Sequence, residues 1–317
     1  MKDDLPLLAK EVREVFLVPP EFAVLAEPAI SMSEALSPAH KAIALAFQDN
    51  LHSVLMTLSI PFQYTFSQVQ SLHHQRFVLA ERIRALKIPS EPDSEEDKAS
   101  RDRLAAEKAR DSFKQFAQAD GREIMPRKVL KRLASLRADP EALTAARELT
   151  RQGVTLIWGA FEVLARDLFV DLLNRHPTRA EMLLSNPSNR KRFGIDKLDW
   201  ATLSSYGFDL SHNLGTLLAQ RADLDDVPTI KDAYGALFPG ADELVAKLSD
   251  RQLWMLFQKR NLIVHRRGIV DQQYKDKTGE EIPIGSQLWV APSEVENFLS
   301  ATVVSGSELI KQVSNAG

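Results

Sequence analysis

One stretch of the chain, LWMLFQKRNLIVHRRG at residues 253–268, gathers side chains able to move protons and hold anions: Arg260, Asn261 and His265. An imidazole has an ordinary pKa of about 6.5, so it can take up or deliver a proton near neutrality. A guanidinium offers a rigid fork of donors to a phosphate or to oxygens that gain charge during a reaction. A carboxamide can orient the imidazole or bond the anion. On a helix, Leu253, Leu256, Phe257 and Val264 mark a core-facing stripe, and Arg260 falls in register with it. A charge there requires a partner. Asn261 and His265 are four apart and share a flank that Gln258 and Trp254 extend. Arg260 and His265 are five apart, about 140° around the helix, so they must converge from two faces. Taken alone, the residues favour a structural arginine paired with an acid and a helix-terminal histidine over a catalytic pair.

Several elements would have to position this segment. Ser249-Asp-Arg-Gln252 has the form of a capping box and opens a helix from Asp250 to about Arg266, with Gly268 as its C-cap. Asp139-Pro140-Glu141 is an N-cap, a first-turn proline and a favourably placed acid. It starts a long helix that Pro177 stops. On it Val154, Ile157, Trp158, Phe161, Leu164, Leu168 and Leu172 recur at helical spacing. Glu162 and Asp167 on that helix are candidate partners for Arg260. Beyond the Arg260 helix, GIVDQQY and IPIGSQLWV read as two short strands or an extended flap, and Pro292 opens a final helix to about Val313. SNPSNRKRFGIDKLDW reads as a loop, and shorter helices fill about 201–245.

RNLIVHRRGIVD resembles the R-x(4–6)-H signature of HEPN domains, in which a polar residue often follows the Arg. LIWGAFEVLARDLF resembles their long first helix, and DAYGALFPGADEL is similar to a segment of bacterial RiboL-PSP-type and related HEPN proteins. The resemblance covers about residues 141–313. It implies an α-helical bundle, commonly dimeric, and in many members a metal-independent endoribonuclease of a toxin–antitoxin or antiphage system. Other members are non-catalytic modules that bind partners or nucleotides, and that alternative of a helical interaction or sensor module stays open.

In RNA the 2′-hydroxyl beside the scissile phosphate is the nucleophile. A base must remove its proton and an acid must protonate the departing 5′-oxygen. The resemblance therefore implies Arg260, Asn261 and His265 as the catalytic group. One histidine per chain does not easily do both jobs, so a homodimer would complete the site. Lys259, Arg266 and Arg267 add charge for the RNA backbone, or form a solvated helix end favoured by the helix dipole. No metal or cofactor is implied. An antitoxin or defence-system partner is.

The first 138 residues read as a helical N-terminal domain and residues 139–317 as the HEPN-like one. Helices are expected over Ser33–Leu58, Phe62–Leu86 and about Glu95–Ala119, with Pro61 an interruption and the acidic, Pro- and Ser-rich stretch near 87–97 a linker. Ser94 and Asp97 form a capping box, and Pro126 opens a further helix to Leu136. His73-His74 are adjacent and do not face each other, so surface histidines are expected there and not a metal site. Arg190-Lys191-Arg192 reads as a solvated turn or an RNA contact.

The net charge of −3 excludes generalised attraction to nucleic acid, so any RNA contact must be a local patch. The absence of cysteine excludes disulfides and thiolate metal sites and fits a cytoplasmic location. No apolar run approaches the ~20 residues of a membrane span, and the acidic N-terminus lacks a signal-peptide core.

Overall fold

The computed structural model describes residues 4–19, 36–85, 94–194, 196 and 198–316. In chain order its α-helices are α1 (Asp4–Arg13), α2 (Pro38–Leu58), α3 (Ile60–Ala85), α4 (Glu95–Gln118), α5 (Gly121–Arg137) and α6 (Pro140–Arg175). They continue with α7 (Ala180–Ser185), α8 (Pro187–Phe193), α9 (Trp200–Ser205), α10 (Leu214–Arg221) and α11 (Val227–Leu237). The last are α12 (Asp242–Leu248), α13 (Arg251–Arg266), α14 (Gln272–Thr278) and α15 (Pro292–Ser314). The protein is all-α. Its one isolated antiparallel bridge among the described residues joins Ile269 to Gln287.

Two compact units divide the chain. The first comprises Met1–Val24 and Leu58–Ala146, the second Leu25–Thr57 and Arg147–Gly317. The expected division at 138/139 lies close to the one after Ala146, which falls inside α6. The grouping of Leu25–Thr57 with the second unit had no sequence signal.

In the first unit α3 packs on α4 and α5, and α1 packs on α5. Val12, Phe16, Phe62, Val129, Leu130 and Leu133 form its core. Ser94 caps α4 as expected, its hydroxyl accepting from the Asp97 amide at 3.1 Å. The interruption expected at Pro61 falls at Ser59, between α2 and α3, and Pro61 itself occupies the first turn of α3, where its missing N–H has no partner to lose. α5 begins at Gly121, ahead of Pro126, which lies inside it. The start expected at Ser33 and the linker over 87–93 lie outside the described residues.

In the second unit α6 is the central element. All seven apolar residues read from its spacing are buried, none more than 1 % exposed. Phe169 stacks on Phe193 of α8, with ring centroids 5.5 Å apart. The Tyr234 hydroxyl of α11 donates to the Ala165 carbonyl at 2.7 Å. Trp158 packs on Phe257 of α13 at 5.1 Å, and α13 packs in turn on α14 and α15.

Three expectations in this unit need correction. Residues 187–193 are helical, not loop: Asn186 caps α8 from its side chain, Pro187 occupies the first turn, and Gly194 takes the left-handed C-cap. QQYKDKT is a helix, α14, because the Asp271 carboxylate accepts from the Tyr274 amide at 2.8 Å and Gly279 ends it in the left-handed conformation. What remains extended is short: Val270 N–H donates to the Ser286 carbonyl at 3.0 Å and Leu288 N–H to the Gly268 carbonyl at 2.7 Å. The cap of α13 is Asp250, not Ser249; its carboxylate accepts from the Gln252 amide at 2.7 Å and the Leu253 amide at 3.4 Å. At the other end the left-handed termination expected at Gly268, with φ of +74°, is present, and Arg267, with φ of +55°, precedes it in the same conformation.

Among the described residues no helix is long and apolar enough to cross a membrane.

Candidate functional site

α13 carries the sequence-selected residues, and its buried face fixes their direction. Leu253, Leu256, Phe257 and Leu262 are buried, whereas Val264, expected in that stripe, is 48 % exposed. The helix turns out of the core in its last turn. His265, Arg266 and Arg267 are consequently all exposed.

Arg260 lies at the margin of the apolar face, its side chain 21 % exposed, with a terminal nitrogen 3.7 Å from the Glu162 carboxylate of α6. Its other terminal nitrogen donates to the Asn261 side-chain oxygen at 3.0 Å. Burial pushes the Glu162 carboxyl above its usual range; the Arg260 guanidinium opposes that shift, and the nearby Asp225 and Asp223 reinforce it. Asp167 is exposed by area, yet the protein around it pushes its carboxyl up as well. No ion pair joins Asp167 to Arg260 among the described residues.

Asn261 connects two environments. Its oxygen receives Arg260, and its side chain lines an open groove together with His265, Gln258 and residues of α14. The structure thus brings Asn261 and His265 to one groove. Arg260 adjoins that groove through Asn261 and is not part of its lining.

Lys259 was read as a possible backbone contact, and the structure places it elsewhere. Its side chain is 2 % exposed, and its ammonium pairs with Glu280 at 3.0 Å and with Glu294 at 2.9 Å. A cation with two carboxylates in the interior is a fastening between α13, the segment after α14 and the first turn of α15. Arg266 does reach the surface, where its Nε is 3.4 Å from the Asp271 carboxylate. The Arg267 carbonyl accepts from the Gln287 side-chain amide at 2.8 Å, tying the helix end to the bridged segment.

The groove's far wall is α14, whose first residues the sequence assigns to a short strand or an extended flap. Gln273, Tyr274 and Lys277 line it. The Asp271 cap with Gly279 eight positions later was the signal that marked this helix. The Tyr274 hydroxyl donates to Glu280 at 2.5 Å, and burial together with that carboxylate pushes its phenol far up, so it stays protonated.

The remaining candidates lie away from this groove. Arg190 is held by a bidentate pairing with Asp196, at 2.6 and 3.0 Å, and Arg192 reaches Asp232 at 3.6 Å. His73, expected at the surface, is 8 % exposed; its Nε2 is 2.7 Å from the Lys128 ammonium and its ring stacks on Phe116. Among the described residues no group of three or more His, Asp or Glu side chains is placed to hold a metal ion.

No protein-family model matches the chain, and no curated protein or solved structure matches it. Fold and site therefore define the class on their own: an all-α protein with an open groove between α13 and α14, one side chain of which is an exposed histidine.

Proposed function

We propose that the protein is a metal-independent endoribonuclease of HEPN type that cleaves RNA by attack of the 2′-hydroxyl on the adjacent phosphate. In this reading His265 transfers the proton, Arg260 stabilises the charge that develops on the phosphate, and Asn261 holds the two in register. The observation that carries the reading is the position of Asn261. It accepts a hydrogen bond from Arg260 and lines the same open groove as the solvent-exposed His265.

The balance of protons points to two copies of the site. One imidazole removes the 2′-proton, and a second group must protonate the departing 5′-oxygen. A homodimer supplies it from the partner's copy of the same helix. Val264 and Ile269, 48 % and 39 % exposed beside His265, are apolar surface that such a partner would cover. Action as a toxin or in antiphage defence, with an antitoxin or similar restraining partner, belongs to the same proposal.

The test is incubation of the purified protein with tRNA and structured RNA in EDTA, followed by analysis of product termini. The expected products carry 2′,3′-cyclic phosphate and 5′-hydroxyl ends, and His265→Ala abolishes them. Equal cleavage by His265→Ala removes the reading. Absence of any cleavage leaves the chain as a non-catalytic helical interaction module.

A further inference from the structure

We propose that α14 forms the substrate-holding wall of the His265 groove, with Lys277 pairing with an RNA phosphate and Gln273 bonding the neighbouring sugar or base. This rests on the nuclease reading and names residues outside the signature that would carry its substrate. Gln273 and Lys277 are four residues apart on α14, so they share a face. Both are exposed, and both line the groove that His265 and Asn261 line from α13.

Charge bookkeeping within the groove singles out Lys277. The Arg266 guanidinium and the Asp271 carboxylate face each other at 3.4 Å and largely cancel. The Tyr274 hydroxyl is committed to Glu280. Lys277 has no ion-pair partner among the described residues, so its ammonium is the cation left free to meet an incoming anion.

Gln258 lines the groove from α13 and is 4 % exposed. The lysine, amides and histidine of the lining offer a sugar–phosphate backbone charge and hydrogen bonds, beside apolar surface that includes Leu262.

The wall is also held in place. Tyr274 bonds Glu280, Glu280 pairs with Lys259, and Lys259 pairs with Glu294 at the start of α15. That chain ties α14 to the buried side of α13 through Tyr274, and Gln273 and Lys277 line the groove on either side of that residue in sequence.

The experiment measures binding of a fully 2′-O-methylated, uncleavable oligoribonucleotide to the full chain by fluorescence anisotropy across a salt series. Lys277→Ala is expected to bind several-fold more weakly and to lower the slope of log K against log salt by about 0.7, the value for one phosphate contact to a single strand. Gln273→Ala weakens binding without changing the slope. Lys275→Ala, on another face of the same helix, changes neither. Lys277→Gln repeats the test should the alanine variant lose its circular dichroism spectrum. An unchanged slope in the Lys277 variants, an equal loss in Lys275→Ala, or no binding by the wild-type chain overturns the proposal. The nuclease reading fails separately. Lys277-dependent binding without cleavage removes the reading and keeps the groove, whereas His265-dependent cleavage with Lys277-independent binding does the reverse.

Discussion

The Lys259 ammonium lies 2.9 Å from the Glu294 carboxylate, with the lysine side chain 2 % exposed and the glutamate 26 %. Together with Glu280 at 3.0 Å this is one cation shared by two acids. Removing the cation leaves two partly buried carboxylates facing each other, the costly way to break such a network. Lys259→Met is therefore expected to lower unfolding free energy by about 3 kcal/mol, read from urea denaturation. Adding Glu294→Gln in the same chain should recover part of the loss, since it removes one of the stranded charges. If Lys259→Met unfolds at the wild-type urea midpoint, the network is not the fastening described.

Arg260 is placed differently, and its replacement should have a different signature. Its contact with Glu162 is long, 3.7 Å, and both side chains reach solvent, at 21 % and 34 % exposure. Partly exposed pairs of this kind contribute about 0–1 kcal/mol. A group that stabilises charge in the transition state is worth roughly 10²–10³ in turnover. Arg260→Ala is thus expected to keep the urea midpoint nearly unchanged while RNA cleavage falls by about two to three orders of magnitude. Loss of stability in proportion to loss of activity would mark Arg260 as structural.

The contrast between Lys259 and Arg260 shows where sequence reading reached its limit. Periodicity located α6 and α13 and the buried face of α6, because Val154 through Leu172 recur without ambiguity. It could not order two adjacent cations, since a stripe defined by spacing does not reveal that Glu280 and Glu294 arrive from later elements to neutralise one of them. Val264 was misplaced because the last turn of α13 leaves the core, a consequence of packing and not of pattern. The α14 wall was missed for a local reason. Seven residues are too few to show a helical period, and only the Asp271 and Gly279 caps mark the element. In the first unit Val69 and Phe77, four residues to either side of His73, were the periodic signal for its burial, which the adjacency of the two histidines obscured; Lys128 and Phe116 reach it from other helices.

The buried histidine gives a prediction with a definite sign in pH. Burial first, then the Lys128 and Arg76 cations, holds the His73 imidazole below its ordinary 6.5. The unfolded chain therefore binds a proton at this site more readily than the folded one. Stability from this group is complete above pH 6.5 and is lost as pH falls through the lower folded value. His40 adds in the same direction, held down by burial and by Arg175 against the opposing pull of Asp171. Unfolding free energy is thus expected to rise with pH up to about 6.5. In proton NMR the His73 ring signal should titrate below the ordinary range. Lys128→Met should move that midpoint upward, since it deletes a repelling cation. A midpoint that stays where it was would assign the shift to burial and Arg76 without Lys128.

Two glycines on long helices of the second unit should respond oppositely to the same added methyl group. At Gly306 of α15 a Cβ would stand 2.5 Å from the Phe47 ring and 2.9 Å from Leu164, so α15 approaches α2 and α6 only because no side chain intervenes. At Gly159 of α6 a Cβ would meet nothing within 4 Å. Alanine gains roughly 1 kcal/mol over glycine in a helix interior. Gly159→Ala collects that gain in full, and its urea midpoint should rise. In Gly306→Ala the gain is opposed by overpacking of about 1–3 kcal/mol, because the ring and the leucine must both shift in a filled core. Its midpoint should fall, and pairing it with Phe47→Leu should restore part of the difference by clearing the space the methyl group needs. Equal midpoint shifts for Gly159→Ala and Gly306→Ala would show that α15 does not pack this closely against Phe47 and Leu164.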